Sequence, residues 1–198
     1  MGGAIYNKVK RVGIYGGSFN PIHLGHIGII RYVLSKKKLD KLIVVPVGNP
    51  SHREGLISSR IRMKMAVAAC RNIEGVEVSD IEIREMGTSY TYETLMKLKE
   101  IYPEAEFYEI IGEDSADYLH EWKDYHKMIE ETKFIVLRRS GWGYTSTHPN
   151  IEVLQSPIFP YSSTEVREAI KGDRDTSSMI SSEVAEIIRK YRLYKNIG

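Results

Sequence analysis

Residues 11–34 read RVGIYGGSFNPIHLGHIGIIRYVL, and the apolar period changes partway along. Residues 11–15 (RVGIY) are a short apolar run that predicts a buried strand. Gly16 and Gly17 break the run, and over 24–34 the apolar residues recur at helical spacing. A strand, a glycine turn and a helix make the opening half of a parallel β-α-β unit.

The alternation continues outward. Strands are predicted over 41–46 (KLIVVP), 76–79, 81–83, 107–111 (FYEII), 133–137 (KFIVL) and 151–154. Helices are predicted over 59–70, 92–102, 164–171 and 182–191; Pro103 stops the second of these, and Ser/Thr caps precede the last two. Segments 47–58 and 140–149 read as loops, and 1–10 as a loose leader. The pattern specifies an α/β fold with a doubly wound, mostly parallel sheet, in one domain over 11–198 that ends in a helical part. Such sheets bind ligands beyond the carboxyl ends of the strands, at the switch point. That directs attention to residues 16–26, 47–53 and 112–114.

The chain has 198 residues, enough for a core that needs no covalent staple. Lys and Arg number 28 against 26 Asp and Glu, a near-balance of +2 that argues against a dedicated nucleic-acid binder. The single cysteine, Cys70, excludes an internal disulfide and a multi-cysteine zinc site. No apolar run approaches the roughly 20 residues of a membrane span, and the start lacks a secretory signal. The expectation is a cytoplasmic domain without nucleic-acid or membrane partners; homo-oligomerisation stays open.

Within GGSFNPIHLGH (16–26), Gly16 and Gly17 remove the Cβ atoms that would hold a phosphate away from backbone N–H groups. A helix beginning near Leu24 aims its free N–H groups and positive dipole end at the same place. His23 and His26 are about one turn apart, so both imidazoles can face one anion. Plainer readings exist: glycines after strands are common in turns, and a histidine pair can be a surface accident or part of a zinc site. No third His, Cys or acidic ligand lies nearby in sequence, so no protein metal site is expected. SSTEVR (162–167) reads either as a plain N-cap or as an anion cradle with Arg167 one turn in. Trp122 reads as a half-buried packing residue or as a platform for an aromatic ring. Asp114 either caps a helix starting at Ser115 or receives ribose hydroxyls. Cys70, closing MAVAAC, reads as core, and Lys36-Lys37-Lys38 as a solvated helix end.

These segments together resemble a known family. GGSFNPIHLGH resembles the HxGH-type signature of nucleotidyltransferases that transfer AMP or CMP from a nucleoside triphosphate. SSTEVR resembles the SSTxxR motif of that superfamily, with Tyr161 where members often carry Ile. Residues 46–53 (PVGNPSHR) resemble the NPPH(K/R) loop of bacterial nicotinate mononucleotide adenylyltransferases, with Ser51 in place of the second Pro. TSYTYETL (88–95) resembles that branch's SYTxxTL segment, IGEDS (111–115) its GxDS turn, and Trp122-Lys123 the Trp that follows. The resemblance spans roughly residues 12–167, with the motifs in the family's order.

The resemblance implies a Rossmann-like nucleotidyltransferase sheet. It also implies transfer of AMP from ATP to nicotinate mononucleotide, giving deamido-NAD and pyrophosphate in NAD biosynthesis, with Mg2+ accompanying ATP. On that footing His23, His26 and Arg167 form the catalytic set. Gly16, Gly17, Ser18, Phe19, Gly112, Asp114, Ser163 and Thr164 would bind ATP. His52, Arg53, Thr88, Tyr90, Thr91 and Trp122 would bind the mononucleotide, with backbone N–H groups near Tyr90 and Trp122 donating to the nicotinate carboxylate. Two alternatives stay open: a sibling adenylyltransferase acting on nicotinamide mononucleotide or another phosphate-bearing acceptor, and a non-catalytic nucleotide-binding regulator on the same fold.

Overall fold

In the computed structural model, which describes residues 9–48, 56–84, 88–138 and 143–195, six short apolar runs pair into one sheet. They are β1 (Arg11–Gly17), β2 (Lys41–Pro46), β3 (Val76–Val78), β4 (Glu106–Gly112), β5 (Lys133–Arg138) and β6 (Ile151–Gln155). Their order is β3-β2-β1-β4-β5-β6. Every pairing is parallel, and Ile14 at the centre lies opposite Ile43 on one side and Glu109 on the other.

Helices α1 (Leu24–Lys37), α2 (Ser59–Cys70), α3 (Thr91–Ile101), α4 (Glu113–Ala116), α5 (Tyr125–Glu131), α6 (Ser163–Lys171) and α7 (Ser182–Lys190) complete the fold. Successive strand side chains point to opposite faces, so each strand feeds two cores. Leu42 and Val44 join a core with Ile30 and Val33 of α1, Met65 of α2, Val166 of α6 and Val184 of α7. Ile43 and Val45 join a second core with Val12 and Ile14, Leu95 and Leu98 of α3, and Met128 of α5. Burial on both faces is why the strands read as near-continuous apolar runs.

Several expectations are corrected. Residues 81–83 form a turn, because the Asp80 carbonyl accepts from both Ile83 N–H (2.9 Å) and Arg84 N–H (3.0 Å) and closes the chain on itself. The third helix starts at Thr91 and ends at Ile101, with Tyr102 as its cap before Pro103. Residues 113–131, left unassigned by periodicity, fold as α4, a 3₁₀ turn at Leu119–Glu121 and α5, each too short to show a helical repeat. The N-cap of α4 is Gly112, so Asp114 sits inside the first turn and does not cap a helix at Ser115. Cys70 is buried, as expected; Lys36 and Lys37 occupy the last turn of α1 and Lys38 caps it, but Lys37 is half-buried and paired with Glu152 rather than solvated. Of the leader only residues 9 and 10 are described, and residues 143–148 of the expected loop carry no helix or strand. Among the described residues, no helix is long and apolar enough to cross a membrane.

Candidate active site

The chain leaves β1 for helices on the first face and reaches β4 from α3 on the second. Those two strands are neighbours, so the sheet's switch point lies at their carboxyl ends. A cavity of about 1130 Å³ opens there, lined on one side by residues 16–18 and on the other by Gly112 and Asp114.

The loop between β1 and α1 is held through its carbonyls. Gly17 O accepts from Val47 N–H (3.0 Å), and Ser18 O accepts from the Arg62 guanidinium (2.7 Å). Asn20 O accepts from Arg167 (2.9 Å), Pro21 O from the Ser163 hydroxyl (2.9 Å), and Asn20 Oδ1 from the Tyr194 hydroxyl (2.8 Å). These bonds engage the carbonyls of Gly17, Ser18, Asn20 and Pro21. The Asn20–Pro21 peptide is cis, and Phe19 has φ 44°. That left-handed backbone costs roughly 1–2 kcal/mol, and the Phe19 ring is fully packed (1% exposed). Phe19 supports the site from beneath and does not line the cavity.

His23 is the N-cap of α1 and is 7% exposed. Its backbone N–H donates to His26 Nδ1 at 3.1 Å. With Nδ1 accepting, the neutral imidazole of His26 carries its proton on Nε2. The two rings lie 3.7 Å apart at 32°, and Phe19 meets His26 edge-on at 5.0 Å. Gly25 is required between them: a Cβ there would come 2.9 Å from His23 Nδ1 and 3.3 Å from the Tyr161 carbonyl.

Helix α6 begins beside this pair. Ser162 Oγ accepts from Glu165 N–H (3.2 Å), and Glu165 Oε2 accepts from Ser162 N–H (2.8 Å), a reciprocal capping box. The N-cap reading of SSTEVR is therefore met. It leaves open an anion role for the N–H groups of Ser163 and Thr164, which also line the cavity. The Ser163 hydroxyl proton is directed to Pro21. Half-buried Arg167 donates Nη1 to Asn20 O and Nη2 to Thr164 Oγ1 (3.1 Å), so Thr164 keeps its own hydroxyl proton to donate.

The far half of the cavity is aromatic and mixed in charge. Tyr90 and Thr91 start α3, and half-buried Trp122 faces the same space while packing on the second core. Lys123 Nζ sits 3.9 Å above the Tyr90 ring and pairs with Glu93 Oε1 at 2.8 Å. Near Trp122, the N–H of Trp122 itself is already engaged, donating to Leu119 O (3.1 Å). Thr88 is exposed and does not line the cavity. His52 and Arg53 lie outside the described residues.

Three groups unread in the sequence shape this site. Arg62, 1% exposed, also donates to Ile57 O (3.1 Å), Val47 O (2.7 Å) and Gly48 O (3.1 Å). Glu82 Oε1 accepts from the Thr94 hydroxyl (2.8 Å); burial pushes its carboxyl above the usual range, against the pull of Thr94 and the Gly48 N–H. Glu109 is 3% exposed, and burial raises its carboxyl well above the usual range, with Glu82 adding to the shift. A charged residue inside an apolar strand was the one signal available for Glu109. Arg62 sits in a helix with two further cationic side chains and stood out by nothing.

A family model described as cytidylyltransferase-like matches residues 14–169. A Fusobacterium nucleatum protein described as a probable nicotinate-nucleotide adenylyltransferase is 44% identical over 188 residues, covering 91% of this chain and 97% of its own. A Clostridium tetani protein of the same description is 36% identical over 200 residues, covering 94% of this chain and 100% of its own. The solved structure of Plasmodium falciparum nicotinic acid mononucleotide adenylyltransferase complexed with NaAD is similar at a TM-score of 0.78 and 24% identity. It covers 93% of this chain and 97% of its own, a likeness of fold.

Proposed function

The chain belongs to the cytidylyltransferase-like family and, within it, to the nicotinate-nucleotide adenylyltransferases; from that premise we propose that it joins ATP and nicotinate mononucleotide into deamido-NAD and pyrophosphate. The observation that carries the reading is one cavity with two unlike halves. One half gathers His23, His26, Arg167 and the start of α6, and the other offers Trp122 and the start of α3.

The first half suits a triphosphate. His26 would donate Nε2–H to an α-phosphate oxygen, backed by the N-terminal end of α1. Arg167 has three further N–H donors beyond the two already engaged, and with Thr164 and the α6 amides it would hold the β- and γ-phosphates. Gly112 and Asp114 would shape the nucleoside side. A divalent cation rides with the nucleotide, and MgATP is the form we assign as substrate. Among the described residues no group of three or more His, Cys, Asp or Glu gathers, so phosphate oxygens and water would supply most of the ion's ligands.

In the reaction, a 5′-phosphate oxygen of the mononucleotide attacks the α-phosphorus. The bond from that phosphorus to the bridging oxygen breaks, and pyrophosphate leaves with the electron pair. The attacking phosphate is already anionic, so no general base is needed. Rate comes from alignment and from cancelling charge on the α-phosphoryl group and the departing pyrophosphate. Trp122 would stack on the pyridine ring, and the Tyr90 and Thr91 amides would meet its carboxylate.

Pyrophosphate release measured with ATP and a panel of phosphorylated acceptors tests the proposal. Release should require nicotinate mononucleotide and be weak with pantetheine phosphate or glycerol phosphate. Release that ignores the acceptor, or none with any pyridine mononucleotide, overturns it.

A further inference from the structure

Glu109 occupies a place where the fold would favour an apolar side chain. It lies within β4, opposite Ile14 of β1 and Phe134 of β5, and it points to the sheet face covered by α3. Phe107 and Ile111, two residues to either side on that face, belong to the second core. Yet Glu109 borders the cavity, and it lies near Glu82, whose carboxylate Thr94 of α3 holds. Its Oε2 is buried and has no hydrogen-bond partner among the described residues. A buried polar atom left unsatisfied costs about 1–3 kcal/mol, so its retention beside a cavity points to a partner that arrives there.

We propose that Glu109 is a specificity-determining residue of the acceptor half, its charge setting the preference between a pyridine carboxylate and the neutral carboxamide. The proposal rests on the pyridine mononucleotide reading above. As a neutral acid, Glu109 offers an O–H donor to a ring carboxylate. Once ionised it repels that carboxylate, while a carboxamide NH2 finds an acceptor.

The surroundings favour the neutral state at moderate pH. Burial disfavours its charged form most, and Glu82, in the turn after β3, adds a like charge. β1 and β5 place the apolar Ile14 and Phe134 opposite it. From α3 the nearby polar group is Thr94, whose hydroxyl is committed to Glu82. The cations of this half do not pair with it: Arg62 is bound to loop carbonyls, and Lys123 is bound to Glu93.

The test compares kcat/KM for nicotinate and nicotinamide mononucleotides, from about pH 6 to about pH 9, a range that includes documented titrations of buried glutamates. Taking the acid-to-amide ratio cancels the ionisations of ATP, the shared 5′-phosphate and the histidines. In the wild type the ratio should fall about tenfold with rising pH, the scale of one like-charge contact in a partly shielded site. In E109Q, which cannot ionise, the ratio should stay level; E109L, which also loses the donor, should be level too and keeps the test valid if E109Q folds poorly. A level ratio in the wild type, or the same fall in E109Q, overturns the proposal and in the second case transfers the effect to Glu82. Turnover of neither mononucleotide by the wild type overturns the parent reading as well, so the two failures are distinguishable.

Discussion

His26 shows how one contact assigns a role to a side chain. Its Nδ1 is held by the His23 N–H, so the other ring nitrogen is fixed as a donor, and Phe19 and His23 pack the ring from two sides. A donor already aimed when charge develops is the kind that stabilises a transition state more than a ground state. Replacing His26 with Ala should lower kcat by roughly 10²–10³ and change the KM for ATP much less. Steady-state kinetics on a variant with native circular dichroism checks this, and a near-normal kcat removes His26 from the chemistry. The pair was legible because it sits in one contiguous motif, where glycine, imidazole spacing and helix start reinforce one another. Glu109 was not: FYEII shows that the strand is buried but not that its third residue borders a cavity built from α3 and the turn at 80–84. The bond from Trp122 N–H to Leu119 O was hidden for a related reason, since it arises in a turn with no sequence period.

Secondary-structure elements act here mainly by holding loops. Arg62 reaches from α2 to carbonyls at Ser18, Val47, Gly48 and Ile57, so one guanidinium ties the ends of β1 and β2 together. Lysine keeps the charge but not the planar fork that serves several acceptors at once. Arg62→Lys should therefore lower unfolding free energy by at least about 2 kcal/mol, because buried carbonyls lose their donors. It should also weaken the use of both substrates. Urea unfolding followed by fluorescence measures the first effect, and an unchanged midpoint and slope contradict it. Long elements such as α1 and β2 were readable from apolar period alone. Short ones were not: α4 has 4 residues and α5 has 7, less than the repeat length from which a helix is recognised. The false strand at 81–83 has the opposite origin, an alternating pattern overruled by the Asp80 turn.

At the scale of the whole molecule, the doubly wound order places the motif loop and the β4 terminus side by side although they are far apart in sequence. The C-terminal part then closes on the same loop. Met179 O accepts from Leu24 N–H (2.8 Å) at the start of α1, and the Tyr194 hydroxyl donates to Asn20 Oδ1, so the first and last thirds of the chain share one site. The alternation of strands and helices carried the fold class and the position of the crevice. It could not show that the C-terminal helices buttress the motif, because no pattern in 179–194 names a partner. The proposed reaction passes the adenylyl group of ATP to a pyridine mononucleotide in one displacement. ATP labelled at its α-phosphate, incubated with nicotinate mononucleotide and Mg2+, tests it most directly. All transferred label should enter deamido-NAD, with unlabelled pyrophosphate formed in equal amount. Label in pyrophosphate, label retained on the protein, or labelled AMP without dinucleotide would contradict it.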